Sequence, residues 1–318
     1  MKKNRIPAIV KIVTVRLFAL LAVLLFAVKI PADSRITFLD VGQGDCILLE
    51  MKNGETYLFD CGSSSRTKVG KYVLIPYLKS RGIRQIDAVF VSHADSDHCN
   101  GIIELLGAGE EERILVKQLV LPAVAEKQRE QEFAKLTEAA GQKTVISYIS
   151  AGMEWRQGEL EIICLNPPKD CKPQDSNAYS ECFYVKIGSS KTENAEPPNL
   201  LTGNGCSILL TGDVAGTGEL LLTEELAHRN IQTIDILKVA HHGSAYSTKE
   251  DFLKTAHPRI AVISCGQNNR YGHPHAETLD RLHAADASIY QTPKSGAVII
   301  KIKKDTIRTE TYLRGAKP

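Results

Sequence analysis

No two of the eight cysteines (Cys46, Cys61, Cys99, Cys164, Cys171, Cys182, Cys206, Cys265) form a CxxC pair, which excludes a zinc ribbon and a thioredoxin-type redox site. Glycine (23) and proline (13) stay at ordinary levels, so the chain is neither collagenous nor of low complexity. A charged fraction of 24% beside 43% hydrophobic residues excludes wholesale disorder. No short-period repeat and no Pro- or Ser-rich linker is present. The 318 residues allow two domains at ~150 residues each. Without a linker they read as one body, 35–318, behind a leader, 1–34.

The net charge of +2 is unevenly spread. Residues 1–35 hold seven bases and one acid, a balance of +6, and the remainder holds 32 bases and 36 acids, a balance of −4. Within the leader, Leu17–Val28 is an unbroken apolar run of 12 residues. As a helix it spans about 18 Å, short of the ~30 Å hydrocarbon core. The wider segment Ile6–Ile30 is long enough if Lys11, Arg16 and Lys29 reach the interfaces. The leader reads as an uncleaved membrane anchor, with a cleaved signal or a buried helix as alternatives. The bases flanking the run place the body outside the cytoplasm, either on a single-pass membrane anchor or secreted.

From Arg35 onward short apolar runs alternate with helical patterns. Ile36–Asp40, Cys46–Glu50 and Tyr57–Asp60 read as strands joined by tight glycine turns. Val69–Arg81 reads as a helix kinked or restarted at Pro76. Ala125–Ala140 reads as one amphipathic helix closed by Gly141. Further strands are expected at Ile86–Ser92, Lys117–Leu121, Thr144–Ile149, Leu160–Leu165, Cys182–Ile187, Cys206–Thr211, Ile234–Ala240, Arg259–Ser264, Ile289–Thr292, Ala297–Lys303 and Ile307–Tyr312. Two strand blocks with associated helices suit two sheets packed face to face. Cys46, Cys164, Cys182 and Cys206 lie inside apolar runs and read as small buried hydrophobes.

The nine histidines cluster. His93 and His98 stand in Ser92-His-Ala-Asp-Ser-Asp-His-Cys-Asn-Gly101, and no further histidine occurs before His228. Then come the pair His241-His242 and the pair His273/His275, with His257 and His283 standing singly. His93, Asp95, Asp97 and His98 offer four ligand-type side chains in six residues, directly after an apolar strand. A turn at that strand end brings them towards one point, where a dication offsets the repulsion between the carboxylates. Two imidazoles and two carboxylates suit zinc, manganese or iron. A solvated loop in which Asp95 or Asp97 caps the next helix is the plainer reading of the same residues. Leu209-Leu-Thr-Gly-Asp213 and Ile236-Leu-Lys-Val-Ala-His-His-Gly-Ser244 are two more apolar strands that deliver polar residues at their C-terminal ends. Three such ends can converge on one sheet edge. A Gly- and Asn-containing loop, Cys265–His275, fits beside them.

Six ordered motifs now stand out: Phe38-Leu-Asp-Val-Gly-Gln-Gly-Asp45, Phe59-Asp-Cys-Gly62, Ser92–His98 with Gly101, Leu210-Thr-Gly-Asp213, Leu237–Ser244 and Tyr271-Gly-His-Pro-His275. With them the body, from about Arg35 to Arg308, resembles the metallo-β-lactamase superfamily, and within it the hydrolase-like domain of ComEC-type DNA-uptake (competence) proteins. The resemblance implies an α/β (α+β) fold, a four-layer αββα sandwich, behind the N-terminal hydrophobic helix. It implies one or two divalent transition metals, zinc or manganese, held by His93, Asp95, Asp97, His98, Asp213 and His241, with His242 as the alternative to His241. Asp213 matches a carboxylate that bridges two ions, and Asp60 one that orients a ligand from behind. The superfamily's middle histidine ligand has no counterpart here. Asp175, Asn177 and Ser180 are the candidates for its neighbourhood.

The activity implied is metal-assisted hydrolysis of a phosphodiester, with DNA as the favoured substrate. Asp97 or Asp213 would orient the attacking water, and His242, Ser244, His273 or His275 would bind substrate oxygen or protonate the leaving group. Two other readings stay open. One is hydrolysis of a cell-envelope or small phosphoester such as a choline phosphoester, and the other is a metal-stabilised binding module without catalysis. The acidic body weighs against a general DNA binder unless Lys68, Lys71, Lys79, Arg81 and Arg84, or Lys301, Lys303, Lys304 and Arg308, form a basic patch. The remaining partner expected is the membrane, through the leader.

Overall fold

The computed structural model describes residues 33–110, 112–169, 171, 176–188, 205–303 and 306–313, with residues 10, 13, 14 and 16–18 near the N-terminus. The hydrophobic helix expected of the leader lies largely outside the described residues, as do Asp175, Lys304 and most of the polar loop after Gly188. No helix among the described residues is long and apolar enough to cross a membrane.

Two sheets form the body. The first, in spatial order, is Thr306–Thr311, Val298–Lys303, Ser34–Phe38, Cys46–Glu50, Thr56–Cys61, Gln85–Phe90, Leu115–Pro122, Val145–Ile149. The second is Ser288–Gln291, Pro258–Ile263, Ile234–Lys238, Gly205–Leu210, Cys182–Gly188, Leu160–Asn166, Glu154–Gln157. Each sheet is antiparallel over one part and parallel over the other. The parallel strands need both faces covered, which is why they read as continuous Val/Ile/Leu runs rather than as alternating ones.

The side chains of the facing sheet surfaces make one core. Phe59 stacks on Phe90 at 4.9 Å between centroids, and Phe183 from the opposite sheet meets Phe90 edge-on at 5.1 Å. Each buried ring of this kind is worth about 1.5–3 kcal/mol of transfer free energy. Outside the first sheet a second core joins it to the helices Ile75–Arg81, Ser96–Leu106 and Ala134–Ala140. Outside the second sheet a third core joins it to Thr217–His228, Glu250–Ala256 and Ala276–Ala284. The order of layers is therefore helix, sheet, sheet, helix, as expected.

Some local expectations change. The single helix expected at Ala125–Ala140 is two, Glu126–Glu132 and Ala134–Ala140, because the chain bends to seat the fully buried Phe133. Pro76 sits in the first turn of Ile75–Arg81, where its missing N–H costs nothing, and a π-helical turn at Gly70–Leu74 precedes it. The strand expected to run to Ala240 ends at Lys238 and gives way to a tight turn. The eight cysteines form no disulfide.

Candidate metal centre

The candidate ligands come from loops that follow the C-terminal ends of the parallel strands, where an α/β sheet opens a crevice. His93 follows Gln85–Phe90, Asp213 follows Gly205–Leu210, and His241 and His242 follow Ile234–Lys238. Two glycines make the convergence possible. A Cβ on Gly62 would lie 2.4 Å from the backbone of Asp97 and His98, so glycine lets the Asp95–His98 turn settle on the strand end. Gly212 has φ +47°, and a Cβ there would lie 2.2 Å from Ser180 Oγ.

Three imidazoles are buried, and each is held from behind. The Nδ1 of His98 lies 2.9 Å from Asp60 Oδ2, and Asp60 also accepts the Ser92 N–H at 2.7 Å and the Ser92 hydroxyl at 2.6 Å. His93 Nδ1 lies 2.9 Å from Ser92 Oγ. His242 Nδ1 lies 2.9 Å from the Ser264 carbonyl, which can only accept, so this nitrogen carries the hydrogen. In all three rings Nε2 is buried without a hydrogen-bond partner, as is Asp213 Oδ1. His98 Nε2 lies 3.2 Å from Asp213 Oδ1, and His242 Nε2 lies 3.2 Å from Asp213 Oδ2 and 3.7 Å from Asp97 Oδ2. One carboxylate thus faces two imidazoles with different oxygens. His93, His98 and Asp213 offer ligand atoms within 4.8 Å of one another, and so do Asp97, His98 and His242. Orphaned imidazole nitrogens facing carboxylates, each ring tethered through its other nitrogen, fit a divalent ion.

Charge without an ion tells the same story. Burial lowers the His242 imidazole pKa, yet the carboxylates of Asp213, Asp97 and Asp45 push it up to about 9. His98 is likewise raised against its burial by Asp213 and Asp60. Asp213 is held well below the usual carboxylate range, His242 and His98 outweighing its burial. Protons here stand in for metal charge.

The two adjacent histidines are placed unequally, and the alternative, His242, is the one that enters the cluster. His241 was the expected ligand and His242 its alternative. Both have left-handed backbone, φ +50° and +55°, and this turn sends only the His242 ring into the buried cluster. His241 is 29% exposed and its Nε2 is 3.9 Å from Asp213 Oδ2. Asp95 lies on the exposed side of the cluster, against His93. Its side chain is 52% exposed, 3.5 Å from His93 Nε2, and bonded at 3.2 Å by Ser176. Of the candidates for the missing histidine's neighbourhood, Ser180 is in the site: its Oγ accepts the Asp213 N–H at 2.9 Å and lies 3.4 Å from His93 Nδ1.

Ser244, expected to meet substrate, is buried, and its hydroxyl accepts the Tyr246 N–H at 3.2 Å. His275 is similarly occupied, its Nδ1 accepting the Ala245 N–H at 3.2 Å. His273 stands 5.6 Å from His241 and 6.3 Å from His242, ring to ring. Burial and then the neighbouring histidines lower it to about 4, so it is neutral near pH 7. Cys99 points away, its Sγ 3.2 Å from the Ala94 carbonyl, and burial pushes its thiol up to about 12.

Two residues were missed. Lys238 and Asp45 are fully buried, with Lys238 Nζ 2.5 Å from Asp45 Oδ2, 2.9 Å from the Gly212 carbonyl and 3.6 Å from Asp213 Oδ1. Both stood in recognised motifs, and a lysine inside an apolar strand run was the available signal. Four residues of the expected basic patches lie beside acids. Arg81 pairs with Glu50 at 3.1 Å, Lys71 with Glu112 at 4.0 Å, and Lys301 and Arg308 with Glu310 at 2.9 and 3.6 Å.

Residues 39–136 match the family described as the Metallo-beta-lactamase superfamily. Over 86% of its length the chain is 30% identical to ComE operon protein 3 of Bacillus subtilis, covering 34% of that protein. Over 91% it is 28% identical to Recombination protein 2 of Haemophilus influenzae, covering 31%. The chain thus spans about a third of the length of the curated relatives it matches. The structure of the metallo-beta-lactamase fold protein YhfI of Bacillus subtilis superposes with a TM-score of 0.50 at 13% identity, covering 87% of this chain and 99% of that one. With the two-sheet sandwich and its ligand cluster, these likenesses show that the chain has the metallo-β-lactamase fold and is similar in sequence to part of competence proteins of the ComEC type.

Proposed function

We propose that the chain is a metal-dependent phosphodiesterase that hydrolyses DNA outside the cytoplasmic membrane, in the setting of DNA uptake. The observation that carries the reading is the convergence of three buried, unpartnered imidazole nitrogens on Asp213 and Asp97. The names of its relatives support the substrate class and the setting.

His93, His98, Asp97, Asp213 and His242 would hold one or two divalent ions, zinc or manganese. A bound ion supplies Lewis-acid stabilisation of a phosphoryl oxygen and acidifies a water. The chain's own residues set the geometry. Asp60 fixes the ring of His98, Ser92 that of His93, and the Ser264 carbonyl that of His242, so that no reorientation accompanies the reaction. Asp97 is 18% exposed and offers a carboxylate at the open side of the cluster, suited to orienting a water. His273, neutral at pH 7, suits donation of a hydrogen bond to a phosphate oxygen better than delivery of a proton.

The test is turnover of DNA and of bis(p-nitrophenyl) phosphate by metal-loaded protein and by Asp97→Ala. Turnover of both, lost in the variant, is the expected result. Turnover of the small ester alone points to a cell-envelope or small phosphoester. Tight metal binding with no turnover of either leaves a metal-stabilised binding module.

A further inference from the structure

The loop after the His241-His242 turn and the loop that ends at His275 both carry exposed tyrosines. Tyr246, just past the His241-His242 turn, is 76% exposed, and Tyr271 is 41% exposed. Each has a cation over its ring: Lys249 Nζ lies 5.9 Å from the Tyr246 centroid and Arg270 Cζ 4.8 Å from that of Tyr271. A hydrogen bond of 2.6 Å from Arg270 to Tyr271 Oη holds the second pair together. The loops are locked to each other, since His275 N–H donates to the Gly243 carbonyl at 2.9 Å and Ala245 N–H to His275 Nδ1. A file of rings leads inward. Tyr271 stacks on His273 at 5.6 Å and 22°, and His273 lies 6.3 Å from the candidate ligand His242.

Flat faces paired with cations are what an unpaired nucleotide needs: a ring or guanidinium for the base and a positive charge for the adjoining phosphate. Outside residues 1–35 the chain has a balance of −4, and Lys71, Arg81 and Lys301 each lie beside an acid. With a net acidic body, stacking on the bases adds recognition that backbone charge alone supplies less of. We infer that Tyr246 and the Tyr271–Arg270 pair form a stacking rim for the nucleobases that flank a phosphodiester in the ligand cluster. The rim takes an unpaired strand, because bases stacked inside a duplex have no free face to offer. The identity of the ligand rests on the phosphodiesterase reading above.

The experiment is binding without turnover, by fluorescence anisotropy on the full metal-loaded chain. The probes are a phosphorothioate oligothymidylate, an abasic strand of the same length and linkage, and the matching duplex. Tyr246→Ala and Arg270→Ala should each weaken oligothymidylate binding roughly tenfold, with Tyr246→Phe restoring it. Tyr246→Ala should leave the abasic strand unaffected, which a loss of fold would not. Equal weakening on both strands, no weakening on either, or a wild type that binds duplex as tightly as single strand overturns the rim. Absence of hydrolysis in the turnover assay would instead overturn the phosphodiesterase reading and leave this result standing.

Discussion

The ammonium of Lys238 and the carboxylate of Asp45 form a fully buried ion pair at 2.5 Å beneath the candidate metal centre. The pair joins the first sheet's leading turn to a central strand of the second sheet. It also sets a fixed positive charge 3.6 Å from Asp213. Removing only the cation leaves Asp45 uncompensated in the interior. Lys238→Met should therefore cost about 3–5 kcal/mol, and adding Asp45→Asn should recover much of it. Urea unfolding of the metal-free protein reads both. A double variant no more stable than the single one would contradict the pairing.

The unequal placement of the two adjacent histidines has a direct readout. Metal content after dialysis, measured by mass spectrometry, should collapse in His242→Ala and be largely kept in His241→Ala. Equal losses would mean that the left-handed turn does not select one ring.

Asp60 holds the ring of His98 through its Nδ1, the nitrogen turned away from Asp213. Asp60→Asn should lower metal affinity about 10–100-fold, as measured by competition with a chromophoric chelator. Unchanged affinity would reduce Asp60 to a support for Ser92.

The metal-free protein should lose stability as pH rises. Folding raises the pKa of His242 from 6.5 to about 9. A group raised on folding stabilises the fold fully below its unfolded value and ceases to do so above its folded value. The melting temperature of stripped protein should thus fall between pH 6.5 and 9, and added metal should bind more tightly across the same interval as fewer protons have to leave. A melting temperature that climbs with pH over this range would refute the assignment.

Gly212 tests the packing that brings Asp213 in. An alanine there meets Ser180 and Ser92 and must hold φ +47°. Gly212→Ala should cost about 1–3 kcal/mol and weaken metal binding with it. A variant with wild-type metal content and melting temperature would show that the strand end has slack.

Much of the fold could be read from local pattern. Apolar runs of strand length, each ending in polar residues, located the parallel strands and the edge where their ends meet, because burial on both faces leaves its mark within a run of five or six residues. The density of ligand types from His93 to His98 marked the site for the same reason. The split at Phe133 escaped, since the charged helical period continues through it and only the core demands the bend.

By itself the sequence determined that this chain folds as a two-sheet sandwich with ligand-type residues at its strand ends. Which of those residues meet was decided only in three dimensions. Asp45 and Lys238 are remote in the chain, and nothing in their neighbours announces a pair that forms when the two sheets close. His241 and His242 are identical in type and adjacent, so no pattern can rank them. The left-handed turn and the Ser264 carbonyl do so, by fixing one ring inside and leaving the other at the rim.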